Sequence, residues 1–242
     1  MEDVKKIVKA SYSRIAKTGC GCSCSGGNSS DISRQIGYSD SELANVPEAN
    51  LGLGCGNPTA LGEIKKGETV LDLGSGAGID CFLASKKVGE KGKVIGVDMA
   101  NAMVERARKH AEKYGYKNVE FRLAEIEELP VEDNSIDVII SNCVINLSPE
   151  KEVVFNEARR VLKKSGRMFV SDIVLLKELS KEQRKDKKLI AGCVGGALLK
   201  NDYLAVIKKA GLKAKILHED KSIGKTQYNG IALESLKLEI TK

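Results

Sequence analysis

From Glu68 onward, short apolar runs alternate with amphipathic stretches, and that alternation limits the chain to few architectures. Val70–Leu73, Val94–Val97, Val119–Leu123, Val138–Ser141 and Met168–Ser171 have the length and apolar content of buried strands. Helical spacing occupies the stretch that runs to Val88, then Ala102–Lys113 and Glu150–Leu162. Strand–helix–strand order with short connections predicts a largely parallel sheet with helices on both faces. The rhythm breaks at residues 180–199 with a charged helix and a Gly/Cys segment. It resumes with Tyr203–Ala210, a strand near Ala214–His218 and a final strand from Ile231. Before the alternation begins, Val4, Ile7, Val8 and Ile15 set an amphipathic helix over residues 2–17. A Gly/Cys/Ser loop from Thr18 to Ser30 follows, then a short helix around Ser39–Asn45 and another after Pro58. The division expected is a cap over 1–66 and a sheet-forming domain over 67–242 carrying an insertion at 173–200.

Composition narrows the function classes. With 4% aromatic residues and no tryptophan, platforms for stacking bases are scarce. The net charge of +6 is spread over helix faces rather than blocked, so nucleic acid is not an expected partner. No apolar stretch approaches the ~20 residues of a membrane span, and the opening helix lacks a secretory apolar region. The expectation is a cytoplasmic monomer whose thiols stay reduced, and an odd count of seven cysteines fits that better than a disulfide framework.

The first strand runs into Asp72-Leu73-Gly74-Ser75-Gly76-Ala77-Gly78 and then a helix. Such a turn lets a ligand approach backbone amides at a helix N-terminus. The glycines are spaced GxGxG, not the GxGxxG of dinucleotide folds. Asp72 stands where it would meet a positively charged amino group, and Asp98 closes the second strand where ribose hydroxyls are expected. The bland alternative is a tight turn with no ligand.

Residues 60–240 resemble class I S-adenosylmethionine-dependent methyltransferases. The resemblance assigns Asp72, Gly74, Gly76 and Gly78 to the methionine end of the cofactor, and Asp98 and Met99 to ribose and adenine. It puts Glu125 and Ile126 beside the adenine, and Asn142 where methyl donor faces acceptor. It implies a Rossmann-like α/β fold with a seven-stranded, mostly parallel sheet whose last strand is antiparallel.

Most methyl acceptors need a base, yet the two histidines, His110 and His218, read as exposed and remote. Asp172, placed after the fifth strand, is the nearest carboxylate. Sulfur is what clusters. Cys55, Cys143 and Cys193 lie in loops that an open sheet gathers at its carboxyl edge. Three thiolates there suit a small soft centre whose own lone pair is the nucleophile. Taken singly, each cysteine would read as core filler, as Cys81 does.

Gly54-Cys55-Gly56, Ser141 to Leu147 and Gly192 to Leu198 resemble the corresponding stretches of arsenite methyltransferases. That resemblance implies methyl transfer to trivalent arsenic bound by Cys55, Cys143 and Cys193, with thiol exchange at one of Cys20, Cys22 and Cys24. It also implies glutathione or thioredoxin as thiol reductant. Two alternatives stay open: a class I methyltransferase acting on a small organic acceptor such as a quinone precursor, and a zinc or copper binder built on the CxCxC run.

Overall fold

A computed structural model of the chain describes residues 4–19, 29–226, 228 and 230–242. The CxCxC cysteines Cys20, Cys22 and Cys24 lie outside them. Helices α1 (Val4–Thr18), α2 (Ser29–Gln35), α3 (Asp40–Leu43) and α4 (Pro58–Leu61) precede the sheet. Local chemistry fixes the shorter ones. Ser39 and Glu42 form a reciprocal capping box on α3, while the Asn57 side chain caps α4 just ahead of a proline at the first helical position.

The alternation expected from Glu68 is present. Strand β1 (Thr69–Leu73) leads to α5 (Ile79–Val88), β2 (Lys93–Asp98), α6 (Asn101–Lys113), β3 (Val119–Leu123), β4 (Ile136–Asn142) and α7 (Lys151–Val161). β5 (Leu162–Leu175) follows α7 with no loop between them, and two short helices come next, α8 (Lys181–Lys185) and α9 (Lys187–Ala191). α10 (Lys200–Lys209), β6 (Lys213–Asp220) and β7 (Leu233–Thr241) complete the chain. Seven strands among the described residues form one sheet in the order β3-β2-β1-β4-β5-β7-β6, with β7 antiparallel to both its neighbours. This is the class I methyltransferase arrangement.

Side-chain alternation along each strand splits the core in two. Leu71, Leu73, Ile139, Met168 and Val170 face one way, toward Phe155 of α7 and Tyr203 of α10. Val70, Val94, Val138, Ile140 and Phe169 face the other way, toward Phe82 of α5 and Met103 and Ala107 of α6. A third cluster sits at the carboxyl edge, where Val8 of α1 meets Cys55, Cys143, Leu147, Ile173, Cys193 and Val194. The cap helices and the β5–α10 insertion thus close over the end of the sheet where ligands bind in open α/β folds.

Three expectations need correction. β5 is 14 residues long, not the four of Met168–Ser171, because it pairs with β4 on one side and along nine registers with β7 on the other. Asp172 therefore lies inside β5 rather than after it. His110 is 8% exposed, its Nδ1 lying 3.1 Å from the carbonyl of Ala77, so it is a buried residue of α6; His218 on β6 is exposed.

Phe155 is fully buried and meets the Tyr203 ring edge-on at 5.8 Å. Phe155→Ala is expected to cost about 3–5 kcal/mol in urea unfolding; a loss below about 1 kcal/mol would contradict this packing.

Candidate active site

The glycine turn after β1 adopts backbone conformations open to few other residues. Gly74, Gly76 and Gly78 have φ of 70°, 52° and 96°. A Cβ at Gly74 would overlap the Val144 side chain, which brings the loop after β4 into direct contact with the turn. Asp98, at the end of β2, accepts from Gly76 N at 2.9 Å through Oδ2 and from Ala100 N at 2.8 Å through Oδ1.

These elements wall a cleft lined by Gly74 to Ala77, Asp80, Asp98, Met99, Ile126, Asn142 and Cys143, with Lys5 and Tyr12 of α1 also on its wall. Ser75 Oγ is buried there with no hydrogen-bond partner. Three buried carboxylates gather around the turn. Burial, followed by the charge of Asp80, holds the Asp72 carboxyl well above its usual range. Burial raises Asp80 to about 6 against hydrogen bonds from Tyr38 and Asn142, and it raises Asp98 as well. Buried carboxylates are costly unless a cation completes them. A glycine cradle, an unpartnered hydroxyl and this negative field fit a ligand with an ammonium and a sulfonium, as S-adenosylmethionine has.

The predicted cofactor residues do not all reach the cleft. Gly74, Gly76, Asp98, Met99, Ile126 and Asn142 line it. Asp72 stands one layer behind and accepts the Cys81 thiol at 3.2 Å. Cys81 is buried as expected, and burial together with Asp72 raises its thiol well above the ordinary value. Gly78 packs on Phe82 and Phe121, where an added Cβ would come within 2.8 Å of both rings. Glu125 is turned outward and pairs with Lys5 at 2.6 Å. Sequence reasoning missed Asp80 and Tyr38, whose hydroxyl donates to Asp80 Oδ1 at 2.7 Å. The signal for Asp80 was its place in the first turn of the helix that follows the glycines.

The three cysteine segments meet in one buried cluster beside this cleft, and of the three cysteines only Cys143 lines it. Asn142 is the connector: its Oδ1 accepts from Cys55 N at 3.0 Å, and its Nδ2 donates to Gly56 O at 2.8 Å and Tyr38 Oη at 3.0 Å. A Cβ on Gly54 would stand 2.7 Å from the Asn142 amide, and one on Gly56 would overlap Ser171 Oγ, so the Cys55 loop lies flat on the sheet edge. Cys143 follows β4, and its N–H donates to Ser171 O at 2.8 Å. Cys55 and Cys143 are joined by a disulfide with Cα atoms 6.0 Å apart, and the Cys193 thiol donates to the Cys143 carbonyl at 2.6 Å.

All three cysteines are buried, and Cys143 and Cys193 hold left-handed backbone, with φ of 56° and 67°. Such conformations are uncommon outside glycine and cluster at functional sites. The segments converge, but the sulfurs do not form an open triad of thiols. Two are oxidised to each other, and no three-residue metal-ligand group occurs among the described residues.

The candidate base Asp172 does not open on the cleft. It accepts from Tyr203 Oη at 3.0 Å, Asn146 Nδ2 at 2.8 Å and Ile173 N at 3.0 Å. Burial still lifts it to about 7 despite those bonds.

Comparison with known proteins accords with this geometry. Residues 64–211 match a family model described as a methyltransferase domain. The arsenite methyltransferase of Halobacterium salinarum is 43% identical over 236 residues, covering 91% of this chain and 60% of its own length. The crystal structure of an arsenic(III) S-adenosylmethionine methyltransferase from Chlamydomonas reinhardtii superposes with a TM-score of 0.65 at 35% identity, covering 87% of this chain and 73% of that one. A ubiquinone/menaquinone biosynthesis C-methyltransferase from Salmonella arizonae matches less, 38% over 108 residues, covering 44% of this chain and 43% of its own length. This chain spans between 40% and 60% of the length of the curated arsenite methyltransferases it matches. A methyltransferase domain over most of its described core, and likeness to the halobacterial and algal proteins over nearly all of it, mean that the chain belongs to the arsenite methyltransferase family.

Proposed function

We propose that this protein transfers methyl groups from S-adenosylmethionine to trivalent arsenic held by the thiolates of Cys55, Cys143 and Cys193. The observation that carries this reading is the convergence of three cysteine loops, drawn from positions 55, 143 and 193, in one buried cluster that reaches the cofactor cleft through Cys143. The bound cofactor supplies an electrophilic methyl group on a sulfonium. The chain's own residues then do three things. Gly74 to Ala77 and Asp98 hold the cofactor, with Asp80 as the carboxylate facing its cation. The cap helices and the insertion close the cleft against water. The thiolates fix the arsenic so that its lone pair points at the donor, and alignment rather than proton transfer lowers the barrier. No base is needed, which agrees with Asp172 and His110 both being buried away from the cleft.

The acceptor must bind to thiolates, so the Cys55–Cys143 bond has to be reduced before arsenic enters. That step consumes two electrons and requires a thiol reductant, for which glutathione and thioredoxin are the candidate partners. The protein would accordingly act in a reducing compartment such as the cytoplasm. Among the described residues no helix is long and apolar enough to cross a membrane.

A quinone-type acceptor is the weaker reading, because likeness to that class covers less than half of the chain. Arsenite, thiol and S-adenosylmethionine incubated with the protein, followed by arsenic speciation, should yield methylated arsenic; none formed by the reduced protein would end the proposal. Cys193→Ser should lower that yield at least about 100-fold. Because Cys193 does not line the cofactor cleft, calorimetric affinity for the cofactor should stay within about threefold.

Asp80 gives a pH signature. Its carboxyl titrates near 6 in the unliganded protein, and a cationic ligand binds the ionised form. Affinity should therefore be full above pH 7 and fall as pH drops through 6, by at most tenfold per unit. Asp80→Asn should weaken binding about 10- to 100-fold at pH 7.5 and flatten the acid limb. A calorimetric titration between pH 5 and 8 that gives the variant the wild-type profile would contradict the assignment.

A further inference from the structure

The two sulfurs of the disulfide belong to different spaces. Cys143 lines the cofactor cleft and Cys55 does not. Cys55 instead lines a second, open pocket, together with Gln35, Gly37, His218, Asp220 and Lys237. The disulfide is thus the partition between two openings, with one sulfur presented to each.

The second cavity has a chemistry of its own. His218 and Lys237 are register partners on β6 and β7, and Lys237 is also opposite Ser171 of β5. Ser171 Oγ lies 3.8 Å from Cys55 Sγ. A Cβ on Gly56 would stand 3.3 Å from Lys237 Cε, so the lysine stem runs alongside the residue next to Cys55. The carboxylate of Asp220 is engaged by Ser222 N at 2.8 Å and Ser222 Oγ at 2.6 Å. The cleft on the Cys143 side carries instead three carboxylates, Asp80, Asp98 and Glu127, against one lysine, Lys5, which pairs with Glu127 at 3.1 Å, a balance that disfavours anions.

A thiolate breaks a disulfide by attack in line with the leaving sulfur, through a mixed disulfide. An attack on Cys143 would have to come from the acidic cleft that holds the methyl donor. An attack on Cys55 comes from the side bearing Lys237 and a single carboxylate, Asp220, whose charge Ser222 already solvates. Cys55 is only 2% exposed at the cavity floor, which favours a small molecule over a folded protein.

We propose that this second cavity is a docking site for a small thiol bearing a carboxylate, which reduces the Cys55–Cys143 bond by attacking Cys55. The first thiolate forms a bond to Cys55 Sγ, and the Cys55–Cys143 bond breaks with its electron pair leaving on Cys143 as a thiolate in the cofactor cleft. A second thiolate attacks the incoming thiol's sulfur in the mixed disulfide, releasing the small-molecule disulfide and Cys55 thiolate. Two thiols are oxidised and one protein disulfide is reduced, and each cysteine regains its proton from water or stays ionised. The proposal goes beyond the arsenic reading and does not rest on it, since the assay contains neither arsenite nor methyl donor.

The test uses oxidised full-length protein with Cys20, Cys22, Cys24 and Cys193 replaced by serine, so that the buried Cys81 is the one protein thiol left outside the disulfide. Limiting glutathione is added, the reaction is quenched early with N-ethylmaleimide, and tryptic peptides are weighed. Glutathione on Cys55 with maleimide on Cys143 is the expected pattern; glutathione on Cys143 would overturn the proposal. A charge series supplies a second readout that needs no trapped intermediate. Reduction rates, normalised to thiolate concentration, should favour 3-mercaptopropionate over cysteamine at least fivefold, and Lys237→Gln should bring that ratio near one. A wild-type ratio near one, or one unchanged in Lys237→Gln, would overturn the charge assignment. Saturating S-adenosylhomocysteine should leave the rate within twofold, and inhibition beyond tenfold would move the attack into the cofactor cleft and refute the route.

Discussion

One side-chain amide holds the two halves of the site together. Asn142 stands at the last position of β4, next in sequence to Cys143, and its oxygen and nitrogen are spent on Cys55, Gly56 and Tyr38. A half-buried amide repays its desolvation only when its donors and acceptors are matched, so this residue pins a cap loop to a sheet edge at a single register. The Cys55–Cys143 pairing follows from it, because fixing the Cys55 backbone on Asn142 brings the two cysteine Cα atoms within 6.0 Å. Tyr38 extends the same chain of bonds to Asp80 in the cofactor cleft. Cap, sulfur loops and cofactor pocket are therefore one hydrogen-bonded unit.

The electrostatics of the cleft point the same way. Asp72, Asp80 and Asp98 are all buried, and each is pushed toward its neutral form first by loss of water. Such a cluster is a poor way to stabilise a fold. It is a good way to prefer a cationic occupant, since Asp80 and Asp98 line the cleft with hydrogen-bond donors but, among the described residues, no cation bound to either.

Much of the fold was legible because parallel strands buried on both faces leave uninterrupted apolar runs, as Val138–Ser141 does. β5 was underestimated because Lys163, Lys164, Ser165 and Gly166 look like a turn; they form an irregular stretch between the pairing of Leu162 with Ile136 and the ladder that resumes at Arg167, and β7 extends the far end to Leu175. The spacing of Met103, Ala107 and His110 did contain the information that His110 faces inward. The three cysteine loops could be found from their flanking glycines, whose role here is contact: Gly54 and Gly56 lie against Asn142 and Ser171. Oxidation of two of those sulfurs is a chemical state, and residue order does not encode it. Nor could spacing reveal Tyr38 on Asp80, a pairing across 42 positions that exists only once the cap has folded over the sheet.

The left-handed backbone at Cys143 and Cys193 has a consequence for the chain as a whole. Glycine would adopt those angles freely, whereas a residue with a side chain carries a conformational cost on the order of 1–3 kcal/mol at each. At two places, then, folding and chemistry favour different amino acids. Selection for folding alone would favour glycine at both positions, so the cysteines there are a cost that stability does not explain.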